Sequence, residues 1–592
     1  MIILGISDHV NCSAALIKDG KVLAAVGEER LVRKKMVFGV PRQSIAKVLE
    51  LANVKPPEVD RVAVASVNGH LLNDYIEFKG WFALERGVMK QIFFNVGSEV
   101  SKLRRYVPFL EKLYYSLREP AFKHRRQELP KILQNEFDIH APVEFLDHHF
   151  AHAASCYFSS GFDDALLVTM DGGGDGVSSQ VWTASNGTLT KIHEVTSFNS
   201  LGNYYAYVTH ICGFQAGKHE GKVTGLAAHG EPIYKDLLDS LITFEDGTIK
   251  NVGHLFFHSA LRGISKRLGD NWKREDLAAS IQQHAEELAV KYVSYWCEKT
   301  GMSNVALAGG LFANVRINQE VHEIDGVHSV HVHPGMTDEG LSVGACLALN
   351  HDLASDRSTL TRVCFDHVYL GPSFTDEEIE EALSNNSIEH KKADDVEEEI
   401  ADLLAQGYVV ARYNGRMEYG PRALGNRSIL YKPNDPSVND WLNECLRRTE
   451  FMPFAPATLT EEADKCFERL EGGEDTARFM TITYDCTPWM QQECSGVVHI
   501  DATARPQLVS EQDNPSFHKI IKAFHRRTGL PCIVNTSFNI HEEPIVCSPD
   551  DAIRAFTQGH LDVLAIGPFV ALNKEAIAKR KVRTEQQLSV ES

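Results

Sequence analysis

No Cys-x-x-Cys pair occurs among the 12 cysteines, which lie scattered from Cys12 to Cys547. That spacing excludes a zinc ribbon and the dense disulfide framework of a small secreted domain, and it predicts reduced, mostly buried thiols. No apolar run approaches the ~18 residues of a membrane-spanning helix, and the start MIILGISDHV has neither the basic segment nor the long apolar core of a secretory leader. A cytoplasmic location without a membrane partner is therefore expected. A basic excess is missing too: 60 Lys+Arg against 80 Asp+Glu give a net charge of −20. Gripping a nucleic acid needs a cationic face to neutralise phosphates, so no nucleic-acid partner is expected. What the chain does have is 592 residues, 43% apolar and 24% charged, enough for two to four globular domains of roughly 150 residues each.

Apolar stretches at Ile2 to Ile6, Ser13 to Ile17 and Lys21 to Val26 predict strands, with the turn Lys18-Asp19-Gly20 closing a tight hairpin. The same layout returns at Ala165 to Met170, the turn DGGGDG, Ser179 to Thr183 and the turn Ser185-Asn186-Gly187. Such a weak duplication predicts an actin-like or sugar-kinase-like α/β domain, with nucleotide held between its halves. Leu72 to about Ile139 (72–139) reads as a mostly helical insert. Its basic run, Lys102 to Lys131, fits either solvated cationic faces or a lid over an anionic ligand. Polar sequence from Leu353 to Arg362 places a domain boundary close to Thr361. Beyond it VYLGPSFTDEEIEEAL restarts with a strand and an acidic helix capped by Ser373 or Thr375. The expected domains are 1–360 and 361–577, followed by a tail over 578–592.

His148 and His152 stand four apart in DHHFAHAASCYF, so a helix starting near Asp147 projects both imidazoles from one face. Asp171 ends an apolar strand and points into the cleft at that strand's carboxyl end. Asp338, in HPGMTDEG, is a fourth candidate ligand, although taken alone a helix N-cap before GLSVGACLAL is its plainer reading and only the conjunction with the histidines favours a metal. Two imidazoles with carboxylates would accept Fe(II), Zn(II) or Mn(II). A pair of half-buried polar side chains is the plainer reading of the two histidines taken alone.

Several loops suit anions. Gly172, Gly173, Gly174 and Asp175 form a turn whose backbone can approach a phosphate closely, though an ordinary hairpin would look the same. Gly309 and Gly310 follow the strand Val305 to Leu307 in GGLFANVRIN, which also holds Asn314, and Lys222 adds a cation in EGKVTGLAAHG. In the C-terminal half, NGRMEYGPRALGNRSIL sets Arg416, Arg422 and Arg427 among Gly415, Gly420 and Gly425 after the strand Tyr408 to Tyr413. Arginine forks bind phosphate oxygens in pairs, each bond to a charged group contributing ~1.5–3 kcal/mol. Arg505 in DATARPQLV, and Asn535 and Ser537 in PCIVNTSFN, supply further polar groups, although turn capping would also explain the last two.

Taken in order, EER at Glu28 to Arg30, HHFAHAAS, MDGGGDG, EGKVTGLAAHG, GGLFAN, HPGMTDEG, GRMEYGPRALGNRSIL, PFAP, TARPQ, and NTSFN with EPIV resemble the carbamoyltransferases that decorate nodulation factors and antibiotics. The resemblance spans nearly the whole chain apart from the insert and the tail. It implies an N-terminal domain similar to the tRNA threonylcarbamoyl-transfer enzymes of the actin-like superfamily. The C-terminal α/β domain would be similar to enzymes that make threonylcarbamoyl-adenylate. It further implies that carbamoyl phosphate and ATP, with Mg2+ accompanying the nucleotide, give carbamoyl-adenylate in the C-terminal domain. That intermediate would pass inside the protein to Fe(II) held by His148, His152, Asp171 and Asp338, where a hydroxyl of a small natural product is carbamoylated. Arg448 is carried over as an anion-binding cation, while Leu446 and Met452 replace two cations of the family pattern, with Arg447 as a neighbouring substitute. Asp8 and His9 are candidates for the general base, and Asn11-Cys12 stands where the family pattern has His-Asp. The alternatives are a tRNA threonylcarbamoyl-transfer enzyme and a non-enzymatic actin-like nucleotide switch. Homodimerisation is left open.

Overall fold

The computed structural model describes residues 1–82, 110–360, 362, 365–446 and 454–579. It divides into two compact units, one formed by Met1–Glu28 and Met36–Phe365, the other by Glu29–Lys35 and the chain from Asp366 onward.

The first unit is built twice over. In one repeat β1 (Ile2–Ser7), β2 (Ser13–Lys18) and β3 (Lys21–Gly27) run antiparallel, and β4 (Arg61–Ala65) and β5 (Val143–Leu146) add to β1 in parallel, giving the order 3-2-1-4-5. In the other, β6 (Asp164–Gly174), β7 (Val177–Ser185), β8 (Thr188–Thr196), β9 (Asn304–Ala308) and β10 (Ser329–Val332) repeat that order and those directions. This is the actin-like duplication expected from the sequence. The matching turns are the reason it was legible: Asp19 and Gly20 have φ of 50° and 81°, Asn186 and Gly187 47° and 79°. Two successive positive φ values define the type I′ turn whose twist matches a hairpin, and Asp/Asn followed by Gly tolerates them best. β1 and β4 are buried almost throughout because helices cover both faces, so they read as continuous apolar runs.

Each repeat follows its fifth strand with a helix or turn that faces the other. Helix α1 (His148–Phe158) follows β5, and helix α2 (Leu341–Leu353) follows β10 by way of Asp338–Gly340. Their backbones touch at Gly344, where a Cβ would collide with the Ala151 carbonyl. Ser13 Oγ ties β2 to the same region, donating to Glu339 O at 2.8 Å and meeting Ser342 Oγ at 2.9 Å.

The insert differs from the expectation of solvated cationic faces in one respect. The helix Leu110–Phe137 carries Arg125 fully buried, its guanidinium donating to Asp8 through Nε at 2.7 Å and Nη2 at 2.6 Å, and to Ser66 O at 3.0 Å. The basic stretch therefore includes a structural anchor. Much of it, from Lys102 to residue 109, lies outside the described residues.

In the second unit eight strands form one mixed sheet, in the order His390–Lys392, Phe569–Leu572, Val563–Ile566, Val410–Tyr413, Arg427–Tyr431, Cys532–Ser537, Ala455–Leu459 and Gln507–Val509. The helix Pro515–Thr528 packs on it with Phe517, Ile520, Ile521 and Phe524, the i, i+3, i+4, i+7 pattern of a buried stripe. Asn514 caps it and Gly529, at φ 76°, ends it in the left-handed region. The acidic helix Asp376–Asn385 is capped by Thr375, not Ser373, through a capping box with Glu378. The division between units falls at Phe365 and Asp366, and the segment Glu29–Lys35 is counted with the second. There Arg30 donates to Gly420 O at 3.1 Å and Arg33 to Ile545 O at 2.7 Å.

Candidate metal centre and arginine loop

Alanine-rich HHFAHAASCYF favours a helix, and Asp147 starts it by accepting the Phe150 N–H at 2.8 Å. His148 and His152 consequently stack on one face with ring centroids 4.9 Å apart. Asp171 Oδ2 lies 3.5 Å from His148 Nε2 and 3.4 Å from His152 Nε2, and Asp338 Oδ1 lies 3.7 Å from both. One ligand atom from each of the four falls within 4.8 Å of the others. His149, between the two, is turned away and bonded to Thr169 Oγ1 at 2.8 Å and Val177 O at 3.0 Å.

The four residues fit a cation. Both ring nitrogens of His148 and of His152 are buried without a hydrogen-bond partner, which is costly unless something accepts their lone pairs. Burial resists a charge on His148, yet Asp171 and Asp338 outweigh it and push the imidazole up to about 9. Burial likewise opposes an ionised Asp171, but the two imidazoles hold its carboxyl well below the ordinary range. A pocket that draws positive charge from both directions suits a divalent metal with mixed N/O ligands.

The glycines expected to cradle phosphate have another geometric role here. DGGGDG continues β6 as a bulged strand, with the register broken between Met170 and Gly174. A Cβ on Gly174 would run into the His148 ring, and one on Gly310 would lie 3.0 Å from Asp171 Oδ1. A Cβ on Gly309 would strike the Met170 backbone, and one on Gly173 would lie 2.5 Å from Ser197 Oγ. Missing side chains thus let β6 and its neighbours close on the histidines. Asp175 is a correction: its carboxylate is spent on the protein, accepting from Ser66 Oγ at 2.8 Å and from the N–H groups of Val67 at 3.0 Å, Asn68 at 2.7 Å and His148 at 3.0 Å. Asn314 is also committed, capping the helix Val315–His322 and pairing with Gln282 through Nδ2 at 2.9 Å. Lys222 is buried in the helix Glu220–Ala227 and engaged there.

Of the two base candidates the structure separates one from the other. Asp8 is locked to Arg125. Burial alone would raise its carboxyl, but the guanidinium's charge and hydrogen bonds hold it below the ordinary value. His9 Nε2 is buried and unbonded, and its ring meets the His148 ring edge-on with centroids 6.2 Å apart. Burial pushes His9 down, against the opposing charge of Asp8, which keeps a nitrogen lone pair available.

In the second unit the arginine loop is organised by a residue that sequence reasoning missed. Glu418 is buried, and its Oε1 accepts the N–H groups of Leu424 at 2.9 Å, Asn426 at 2.8 Å and Arg427 at 3.0 Å, wrapping the loop around one oxygen. An acidic side chain among three arginines and three glycines was the available signal. Arg427 is the second correction: fully buried, it donates to the carbonyls of Asn414 at 2.7 Å, Asn426 at 2.9 Å and Gly415 at 3.1 Å, and covers the Tyr413 ring at 3.6 Å. Its Nη groups hold the loop's shape, while its Nε is buried and unbonded. Arg416 donates to Leu370 O at 2.7 Å and Gly371 O at 3.2 Å. Arg422 alone of the three has no partner bonded to it among the described residues; its Nε is buried, and burial pushes the guanidinium down to about 10. Asn535 donates to Gln507 Oε1 at 2.8 Å and Ala423 O at 3.2 Å, leaving Oδ1 buried and unbonded, as is Glu418 Oε2. Ser537 donates to Asn539 Oδ1 at 2.6 Å, and Arg505 follows the short strand Thr503–Ala504, engaged with the surrounding chain. Leu446 is buried, whereas Arg447, Arg448 and Met452 lie outside the described residues. Two unbonded donors, Arg422 Nε and Arg427 Nε, and two unbonded acceptors on or against a single loop are what a bound polar ligand would satisfy.

Comparison with known proteins gives matches over both units. The family described as Carbamoyltransferase N-terminus matches residues 2–347, and Carbamoyltransferase C-terminus matches residues 401–573. Nodulation protein NolNO of Sinorhizobium fredii is 31% identical over 95% of this chain and 79% of its own. Nodulation protein NolO of Bradyrhizobium diazoefficiens is 33% identical over 73% of this chain and 79% of its own. The uncharacterized protein sll1178 of Synechocystis sp. is 32% identical over 98% of both chains.

Proposed function

Because this chain belongs to the carbamoyltransferase family, and so is an enzyme that transfers a carbamoyl group, we propose that it is ATP-dependent, forms carbamoyl-adenylate from carbamoyl phosphate, and delivers the carbamoyl group to a hydroxyl of a small natural-product acceptor. A non-enzymatic switch falls away with that membership. The observation that carries the donor half is the unbonded Arg422 guanidinium on the loop that Glu418 folds. Water hydrolyses carbamoyl phosphate, releasing inorganic phosphate and carbamate. A carbamate oxygen then attacks the α-phosphorus of ATP and pyrophosphate leaves. Arg422 would neutralise the anionic groups as charge moves between them, and the Asn535 and Glu418 oxygens would orient donors of the same ligands. Burial makes that charge stabilisation larger than it would be in water.

For the second half, His148, His152, Asp171 and Asp338 would hold a divalent metal, Fe(II) in our reading, by their ring nitrogens and carboxylate oxygens. When bound, such an ion supplies Lewis-acid polarisation of the carbamoyl oxygen. The acceptor oxygen attacks the carbamoyl carbon, AMP departs with the bonding pair, and the hydroxyl proton passes to His9 Nε2. Support for the nucleotide comes from the actin-like topology, and support for a small-molecule acceptor from the nodulation proteins it is similar to. Incubation with carbamoyl phosphate, ATP and Mg2+ tests the reading: pyrophosphate and carbamoyl-adenylate should form together, and their absence overturns it.

A further inference from the structure

One guanidinium from the insert helix reaches two turns on which the candidate metal centre leans. Arg125 is fully buried. Its Nε and Nη2 donate to the two oxygens of Asp8 at 2.7 and 2.6 Å, while Nη1 donates to Ser66 O at 3.0 Å and Nη2 to Ala65 O at 3.4 Å. Gly69 leaves room for it, since a Cβ there would lie 3.0 Å from the Arg125 Cζ. The next residue of the same helix, Arg126, donates to Val67 O at 3.1 Å.

The first of these turns follows β1 and carries His9, whose ring meets that of His148 edge-on. The second follows β4 and opens in a conformation that has to be held. Ser66 has φ 74°, which a residue with a side chain seldom adopts. Its carbonyl is held by Arg125 and its hydroxyl by Asp175 at 2.8 Å, and the same carboxylate takes the N–H groups of Val67 and Asn68. The remaining bond of Asp175 goes to the N–H of His148, the first residue of α1. Backbone strain of this kind persists where the surroundings over-determine it, and it concentrates at functional sites.

We propose that Arg125 is a positioning residue for the candidate metal centre: by fixing Asp8 and the Ser66 carbonyl together, it sets His9 beside His148 and keeps Asp175 on the start of α1. The insert helix thereby becomes part of the centre's support. This rests on the metal reading of His148, His152, Asp171 and Asp338. The role requires a planar fork. Lysine keeps the charge, but a point donor on a flexible stem does not hold a carboxylate and two carbonyls at once. A packing role alone would depend instead on the apolar contacts of the helix, which Leu129, fully buried one turn further on, supplies.

Titration of the full chain, stripped of metal, with Co(II) and following its visible absorption tests the assignment. Arg125→Lys and Leu129→Ala are compared with the parent, each with its thermal midpoint. Arg125→Lys should weaken Co(II) binding about 10-fold and change the absorption bands, as expected for a group that orients metal ligands. Leu129→Ala should lower the midpoint and leave Co(II) binding as it is in the parent. Asp8→Asn combined with Arg125→Met leaves no lone charge buried, and it should show the same loss of binding as Arg125→Lys. Co(II) binding unchanged in both Arg125 variants, or weakened equally in Leu129→Ala, would overturn the assignment while the metal reading stands. A parent protein that bound no Co(II) would overturn both.

Discussion

Asp175 Oδ2 accepts the backbone N–H of His148 at 3.0 Å, so the carboxylate that follows the triple glycine holds the first turn of the helix bearing both imidazoles. The same side chain receives Ser66 Oγ, Val67 N and Asn68 N. In Asp175→Ala these donors lose their acceptor at ~1–3 kcal/mol for each one left buried. The expected outcome is a lower unfolding midpoint together with weaker metal retention, measured by thermal melts and by metal content after dialysis.

Replacing both His148 and His152 by Ala should remove bound metal and carbamoyl transfer while leaving the fold intact. No nitrogen of either ring is hydrogen-bonded, but both rings lie 3.4–3.5 Å from Asp171 Oδ2, so the carboxylate they leave behind should lower the unfolding midpoint while the helix contacts stay. Metal analysis after loading with Fe(II) and circular dichroism on the same sample check both parts.

Gly174→Ala should mimic that loss without touching a ligand, because the added methyl would enter the space of the His148 ring. The expected reading is metal content well below that of the parent protein with all four ligands still in the chain.

Arg422 and Arg427 should behave oppositely. Arg427→Ala leaves several carbonyls in the loop unbonded and should cost on the order of 3–5 kcal/mol of stability. Arg422→Ala removes a cation with no protein partner, so the midpoint should hold or rise while pyrophosphate formation falls at least tenfold. Denaturant titration and the donor assay, run on both variants, separate the two roles.

A pH dependence follows from Glu220, whose carboxyl burial pushes up to about 7 from an ordinary 4.5. The folded state then binds the proton more tightly than the unfolded state does. Its stabilising contribution is complete below about 4.5 and is lost as pH rises through 7. Glu220→Gln should flatten the parent's decline between those values, seen as unfolding midpoints that converge at low pH and favour the variant at pH 8.

The repeat was legible because strand runs and type I′ turns are local: Lys-Asp-Gly and Ser-Asn-Gly announce their backbone angles without help from the rest of the chain. The four candidate metal ligands could be nominated from spacing, but their convergence depends on Gly344 and Gly5 letting backbones approach, a long-range effect that no window of sequence displays. Arg427 looked like its neighbours Arg416 and Arg422 for the same reason: an arginine bonded to carbonyls and one awaiting an anion have identical sequence signatures. Asp175 was misread because a carboxylate in a glycine turn fits a ligand loop and a helix anchor equally well. The burial of Arg125 within a basic helix was hidden by its charge, since the partner that makes burial tolerable, Asp8, is remote in sequence.

The two repeats contribute unequally to the ion pocket. Both imidazoles come from the helix that completes one repeat, and the carboxylates from the other, Asp171 in its first strand and Asp338 in the turn beyond its last. The imidazole and the carboxylate ligands therefore ride on separate repeats of one unit. A rotation of a few degrees between those repeats would stretch every imidazole-to-carboxylate span at once, so grip on the ion would report whether the cleft is shut.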